Sequence, residues 1–108
     1  MIFPHTVTVH PSELTVDSDG NPVRRPQTAG VDVPAFVQPA PAGADENTAQ
    51  PQTVTTEYLV WLDIACPFLD AFALLVWRGE AYELRGDAHR FDSPDRTLDH
   101  WRARIRRR

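Results

Sequence analysis

An all-β fold, a small antiparallel β-barrel or sandwich with one long inserted loop, is what this sequence predicts, and three observations carry the prediction. Apolar residues recur with a period of two in segment after segment, the pattern of strands with one buried face. Clusters of Gly, Pro, Asn and Asp punctuate those segments. Roughly six short strand-like segments follow one another, a density that suits a small barrel or sandwich. With 108 residues, the chain reads as a single domain, 1–108, with room for a modest core.

The elements follow in order. HTVTVH (5–10) alternates Val7 and Val9 with Thr6, Thr8 and His10, a strand with one buried face. DSDGNP (17–22) concentrates turn formers, with Gly20 and Asn21 able to take positive φ. VDVPAFVQP (31–39) is a second strand through Val31, Val33 and the Phe36–Val37 pair, and Pro34 inside it implies an edge position or a bulge. PAPAGADENTAQPQ (39–52) then has no large apolar residue and three prolines. A stretch so long without an anchor is either disordered or functional, and it is taken as an excursion from a β-scaffold.

In TVTTEYLVWLDI (53–64), Tyr58, Val60, Leu62 and Ile64 face one way and Leu59, Trp61 and Asp63 the other. Both faces carry apolar groups, so this strand is central or is covered by a neighbouring subunit. ACPFLDA (65–71) breaks it at Pro67. FALLVWRGEAYELRG (72–86) forms two strands joined at Arg78–Gly79, with Leu74, Val76, Tyr82 and Leu84 toward the core, and DAHRFDSPDR (87–96) is loop. The Arg-rich end, 97–108, has two readings. A strand points Trp101, Ala103 and Ile105 inward and Arg102, Arg104 and Arg106 outward. A helix would use Ser93 as cap and Pro94 at its first position, with Leu98, Trp101 and Ile105 on one face. The strand is preferred because everything upstream is β. The expected core is Val7, Val9, Val60, Leu62, Val76, Tyr82, Leu84, Trp101 and Ile105.

Charge narrows the function classes. The net charge is −4 with no lysine, so all eleven basic residues are arginine. Part of that enrichment reflects a GC-rich coding bias and carries no functional weight. An acidic total argues against a free nucleic-acid binder. Distribution matters more: between Pro26 and Trp77 there is no Arg or Lys, whereas Arg102, Arg104, Arg106, Arg107 and Arg108 crowd the end. Such polarity orders neighbours head to tail in a protein that associates with itself. The start MIFPHTVTVH lacks the pattern of a signal peptide, and AFALLVW (71–77) is too short to span a bilayer. A soluble protein of the cell interior or of a virion is expected, with no membrane partner.

Sites for chemistry are weak, and the chain is not read as an enzyme. His5, His10, His89 and His100 show no metal-ligand spacing, and Cys66, beside Pro67 and Phe68, suits a buried side chain better than a nucleophile. Asp17 and Asp19 fall in a DxDG sequence, but Pro22 and the lack of a late glutamate spoil a calcium loop. Asp45 and Glu46 lie in an Ala/Gly/Pro setting unsuited to tuning a general acid. No glycine-rich phosphate cradle occurs. No metal and no cofactor is expected.

The order of segments carries a resemblance. HTVTVH, a turn containing DGN, VDVPAFVQPA and the polar excursion come first; LLVWRGEAYELRGD (74–87), RFDSP (90–94) and DHWRARIRR (99–107) complete it. The whole resembles the small head-to-tail connector proteins of long-tailed bacteriophages, the head-closure or stopper family, most tellingly in WRGEAYELRGD (77–87) followed by Phe91 and Pro94. The resemblance implies a β-barrel that assembles with copies of itself as a ring beneath the portal and adaptor proteins. It would close the head after packaging and receive the tail terminator or tail tube below. Packaged DNA would pass through the lumen without sequence recognition. The protein would reside in the virion at the head-to-tail interface, and in host cytoplasm during assembly.

In such proteins the long excursion can project toward the channel, and Asp45 and Glu46 suit a wall that does not hold phosphates back. The arginine-rich end departs from the family pattern. Docking on carboxylates of a neighbouring copy or connector partner is the preferred role for Arg102, Arg104, Arg106, Arg107 and Arg108, ahead of a solvated face and of DNA contact. The alternatives are a tail terminator or other ring protein of the same virion, and a non-viral β-domain serving as an enzyme subunit or binding module.

Overall fold

Alternating apolar residues build a closed antiparallel wall. The computed structural model describes residues 3–40, 57–95 and 97–108, and among these it has nine strands and no helix. They are β1 (His5–His10), β2 (Ser12–Val16), β3 (Pro22–Pro26), β4 (Val31–Pro39), β5 (Glu57–Asp63), β6 (Leu74–Trp77), β7 (Glu80–Leu84), β8 (His89–Phe91) and β9 (His100–Arg107). Six of them close a barrel in the order β1–β4–β5–β9–β7–β6 and back to β1. β9 makes the closure. One edge pairs with all of β5, from Asp63↔His100 to Glu57↔Arg106, and the other pairs with β8 at its start and β7 at its end.

The inward positions are apolar all round the barrel. Val7 and Val9, Val33, Ala35 and Val37, Val60 and Leu62, Leu75, Tyr82 and Leu84, and Ala103 and Ile105 are buried and form one cluster. Cys66, Leu69, Ala73 and Ala88 close the end where β5 finishes, tied there by the Ala88 N–H to the Leu69 carbonyl (2.8 Å). Toward the other end Tyr58 meets Trp77 and Tyr82 edge-on, at 5.4 and 5.6 Å between ring centroids, and Trp77 lies tilted to Tyr82 at 6.4 Å.

Local chemistry explains the strand ends. Pro34 sits in β4 just before the ladder to β5 begins at Ala35↔Leu62, so its missing N–H leaves no bond to β5 unmade. Arg78 and Gly79 both take positive φ (53° and 77°), as a two-residue type I′ hairpin requires, and the turn pairs Trp77 with Glu80. The Arg78 guanidinium lies 4.5 Å from the centre of the Trp77 ring. Gly30 admits no side chain without displacement, because a Cβ there would come within 2.6 Å of Thr8 Cγ2 and 2.8 Å of the His10 ring.

The core departs from expectation at two positions. Leu75, not Val76, points inward: the turn sets Leu75 opposite Tyr82 and Val76 opposite Ala81, so Val76 and Tyr82 cannot share a face. Trp101 is half-buried and packs against the core, its ring tilted against Phe68 (5.9 Å). The C-terminal segment is a strand, although it starts at His100. Residues 97–99 belong to a loop in which the Ser93 hydroxyl accepts the Leu98 N–H (3.0 Å) and Asp99 accepts the Ser93 N–H (2.7 Å). The cap-like serine organises a turn, not a helix. The sequence reading also passed over three strands: β8, and the β2–β3 hairpin, whose turn is held by the Asp17 carboxylate accepting the N–H groups of Asp19 and Asn21 (both 2.9 Å).

The register decides a pair of mutations. Leu75→Ala empties a fully buried position and is expected to cost about 2–5 kcal/mol in urea unfolding, whereas Val76→Ala on the outer side costs about 1 kcal/mol or less. Equal effects would contradict the inward assignment of Leu75.

Candidate docking surfaces

β9 turns its arginines outward, as the alternation predicts, and neighbouring strands bring glutamates to them. Arg106 stands between Glu57 and Glu83 in register and reaches Glu83 at 3.4 Å. Arg107 meets Glu80 at 3.1 Å, and Arg104 lies 3.8 Å from Glu57, which also binds Arg85 at 2.7 Å. The carboxylates beside Arg104, Arg106 and Arg107 thus belong to the same chain. These side chains are about half-exposed, and such pairs contribute roughly 0–1 kcal/mol each. Among the described residues, Arg85, Arg104, Arg106 and Arg107 thus meet three glutamates, Glu57, Glu80 and Glu83. Arg108 is anchored through its backbone N–H to the Ala81 carbonyl (3.0 Å), and its side chain joins Arg24, Arg25, Phe72, Leu74 and Glu83 around an open cleft of about 260 Å³.

Arg102 is set apart from the ladder. Its guanidinium lies 4.3 Å from the centre of the Phe91 ring and 5.4 Å from that of Trp61, within cation–π range of both. Phe36 continues the aromatic surface at 5.4 Å from Trp61. Beneath it, buried His100 stacks on Phe91 and donates from Nδ1 to the Leu98 carbonyl (2.6 Å), which leaves Nε2 to accept from Arg102 Nη2 (3.5 Å). Arg102 Nε is buried without a hydrogen-bond partner, and no carboxylate among the described residues pairs with this guanidinium. Sequence alternation puts Arg102 outside; only the pairing of β4, β5, β8 and β9 assembles the aromatic frame around it.

Charge is uneven along β9. Asp63, Asp92, Asp95 and Asp99 lie near where β9 begins, with Arg90 paired to Asp92 (2.9 Å), and Arg104 to Arg108 lie where it ends, beside Glu57, Glu80 and Glu83. The Asp95 carboxyl is held below its usual range by the Thr97 N–H, then by the Thr97 and Ser93 hydroxyls.

No reactive constellation accompanies these surfaces. Burial, with Asp63 nearby, pushes the Cys66 thiol up to about 12, so it is not a thiolate near neutral pH. His5 Nδ1 accepts the Val37 N–H (3.0 Å), and His10 Nδ1 bonds the Gln27 carbonyl (3.0 Å). Among the described residues no three His, Cys, Asp or Glu side chains are placed to hold a metal ion. No helix there is long and apolar enough to cross a membrane. Asp45 and Glu46 lie outside the described residues. No protein-family model matches the chain, and no curated protein matches it significantly.

The thiol has a measurable consequence. Its folded pKa exceeds the unfolded value, so Cys66 contributes stability below pH ~9 that is lost as pH rises toward about 12. Cys66→Ala should flatten this part of the pH–stability curve, and native protein should resist thiol reagents near pH 8. Rapid labelling of folded protein would refute the burial argument.

Proposed function

We propose that this chain is a virion structural protein that forms a ring in the head-to-tail connector of a long-tailed bacteriophage. In this reading it closes the head after DNA packaging and provides the tail attachment site, with portal or adaptor proteins above and the tail terminator or tail tube below. The observation that carries it is the run from LLVWRGEAYELRGD to DHWRARIRR, whose segments lie side by side as the β6–β7–β9 wall of a closed barrel. Two further features support it. Uneven charge along β9 suits ordered, directional contacts between stacked or adjacent copies. Arg102, which no carboxylate among the described residues pairs, leaves a guanidinium for a carboxylate of a partner. Any virion location rests on the same reading, as does DNA passage through the lumen.

Imaging of intact particles tests the proposal. Density for this barrel should repeat around the axis just below the portal. The same density at the distal side of the joint would make it a tail terminator, and its absence from the particle would overturn the reading. Replacing Arg104, Arg106 and Arg107 by serine should cost about 1 kcal/mol or less per pair in the isolated protein. The same variant should remove most tailed particles, and normal particle yield would count against docking through the ladder.

A further inference from the structure

Two features of the described residues lack a partner within the chain. The first is the β2–β3 hairpin, which pairs with no strand of the barrel. Leu14 and Val16 are 65% and 62% exposed on it, and two-stranded hairpins are at best marginally stable alone. Its base is tied to the barrel through Asp70, which accepts from the Ser12 hydroxyl (2.7 Å) and lies 3.9 Å from the Arg24 guanidinium, and the Gln27 N–H closes the base on the Pro11 carbonyl (2.9 Å). At its tip the Asp17 carboxylate is consumed by the turn, while Asp19 is exposed and its carboxylate has no partner among the described residues. The second is the Phe36–Trp61–Arg102–Phe91 face, an aromatic surface around a guanidinium without a carboxylate.

The two are complementary in chemistry and distant in the fold. One offers aliphatic side chains and an unpaired carboxylate, the other aromatic rings and a cation that no carboxylate pairs. The hairpin base is tied to Asp70, just ahead of β6, and its Arg24 and Arg25 share a cleft with Phe72, Leu74 and Arg108 on the β6–β7 side. The aromatic face centres on β5 and β9. The arm joins β1 to β4 and is tied toward β6, whereas the face centres on β5, opposite β6 in the six-strand circuit, so the two are separate surfaces. Two different patches on opposite sides make a head-to-tail contact, which closes into a ring when its rotation allows.

We propose that the β2–β3 arm of one copy docks on the Phe36–Trp61–Arg102–Phe91 face of a second copy. Leu14 and Val16 cover the aromatic rings, and Asp19 reaches the Arg102 guanidinium. Trp and Arg at the centre of a contact, rimmed by polar groups, is the composition of an energetic hot spot. The proposal rests on the reading of the chain as self-assembling and names the surfaces that do it.

Sedimentation velocity over a concentration series tests it with two variants of the full chain. The arm variant combines Leu14→Ser, Val16→Ser and Asp19→Ser; the face variant is Arg102→Asp. Each alone should self-associate at least about tenfold more weakly than the unaltered protein, as loss of a hot spot implies. Mixed, they should form a 1:1 dimer that grows no further, because one intact arm meets one intact face. Where Arg102→Asp perturbs the circular dichroism spectrum, Phe36→Asp on the exposed edge of the same face replaces it. Self-association of the arm variant equal to the unaltered protein overturns the contact, and so does a mixture that stays monomeric or an unaltered protein that is monomeric throughout. An arm variant that still builds normal rings in particles sinks this contact while leaving the connector reading intact. Absence of the protein from particles sinks the connector reading whatever the variants do in solution.

Discussion

The pairing of β9 with β5 along its whole shared length is the constraint on which the rest of the structure depends. It turns a folded sheet into a barrel, and it puts Ala103 and Ile105 inside by the same act that puts Arg104 and Arg106 outside. Side chains alternate with a period of two, so a slip of one residue would drive guanidinium groups into the apolar interior. Burying an unpaired charge costs several kcal/mol, far more than the surface ion pairs return. The arginines therefore act first as a register lock. Their exposed pairs with Glu57, Glu80 and Glu83 add little stability but favour the correct neighbour on each edge.

With the wall closed, features open to a partner are displaced to its outside. The interior is filled by valines, leucines and aromatic rings. What remains are surfaces: an arginine ladder, an aromatic face around Arg102, an acidic end near Asp92 and Asp99, and a hairpin standing off the barrel. A rigid scaffold thus lies inside and the contact surfaces lie outside.

Much of this was legible in the sequence where burial enforces a pattern. β1, β4 and β5 announce themselves because each has an apolar face that must point inward, and Gly79 between two apolar runs marks the β6–β7 turn; β9 carries the same alternation, but a helix also fitted its pattern. Strands that bury nothing gave no such signal: β2 exposes Leu14 and Val16, and β8 is three exposed residues. Leu75 was confused with Val76 because both are apolar and only the register of the turn separates them. Which glutamate meets which arginine, and that Trp61, Phe91 and Arg102 converge, depends on pairing between strands distant in sequence. Local patterning cannot supply that.

Arg102 shows how far stability alone fails to explain the surface. Arg104, Arg106 and Arg107 each have a glutamate on an adjacent strand, whereas Arg102 has two aromatic rings and a histidine nitrogen. Cation–π contacts of this kind are worth about 0.5–1 kcal/mol each, while a buried donor without a partner costs about 1–3 kcal/mol. For Arg102 the two nearly cancel, so the chain gains little from keeping the group there for its own sake. The flat guanidinium is instead held in one orientation by the rings on which it lies, with its ordering cost already met in the free protein. A carboxylate arriving from outside would then meet an already oriented guanidinium, without the cost of immobilising a flexible side chain. The asymmetry between Arg102 and its neighbours on the same strand is thus one between a group that completes the barrel and a group that the barrel presents.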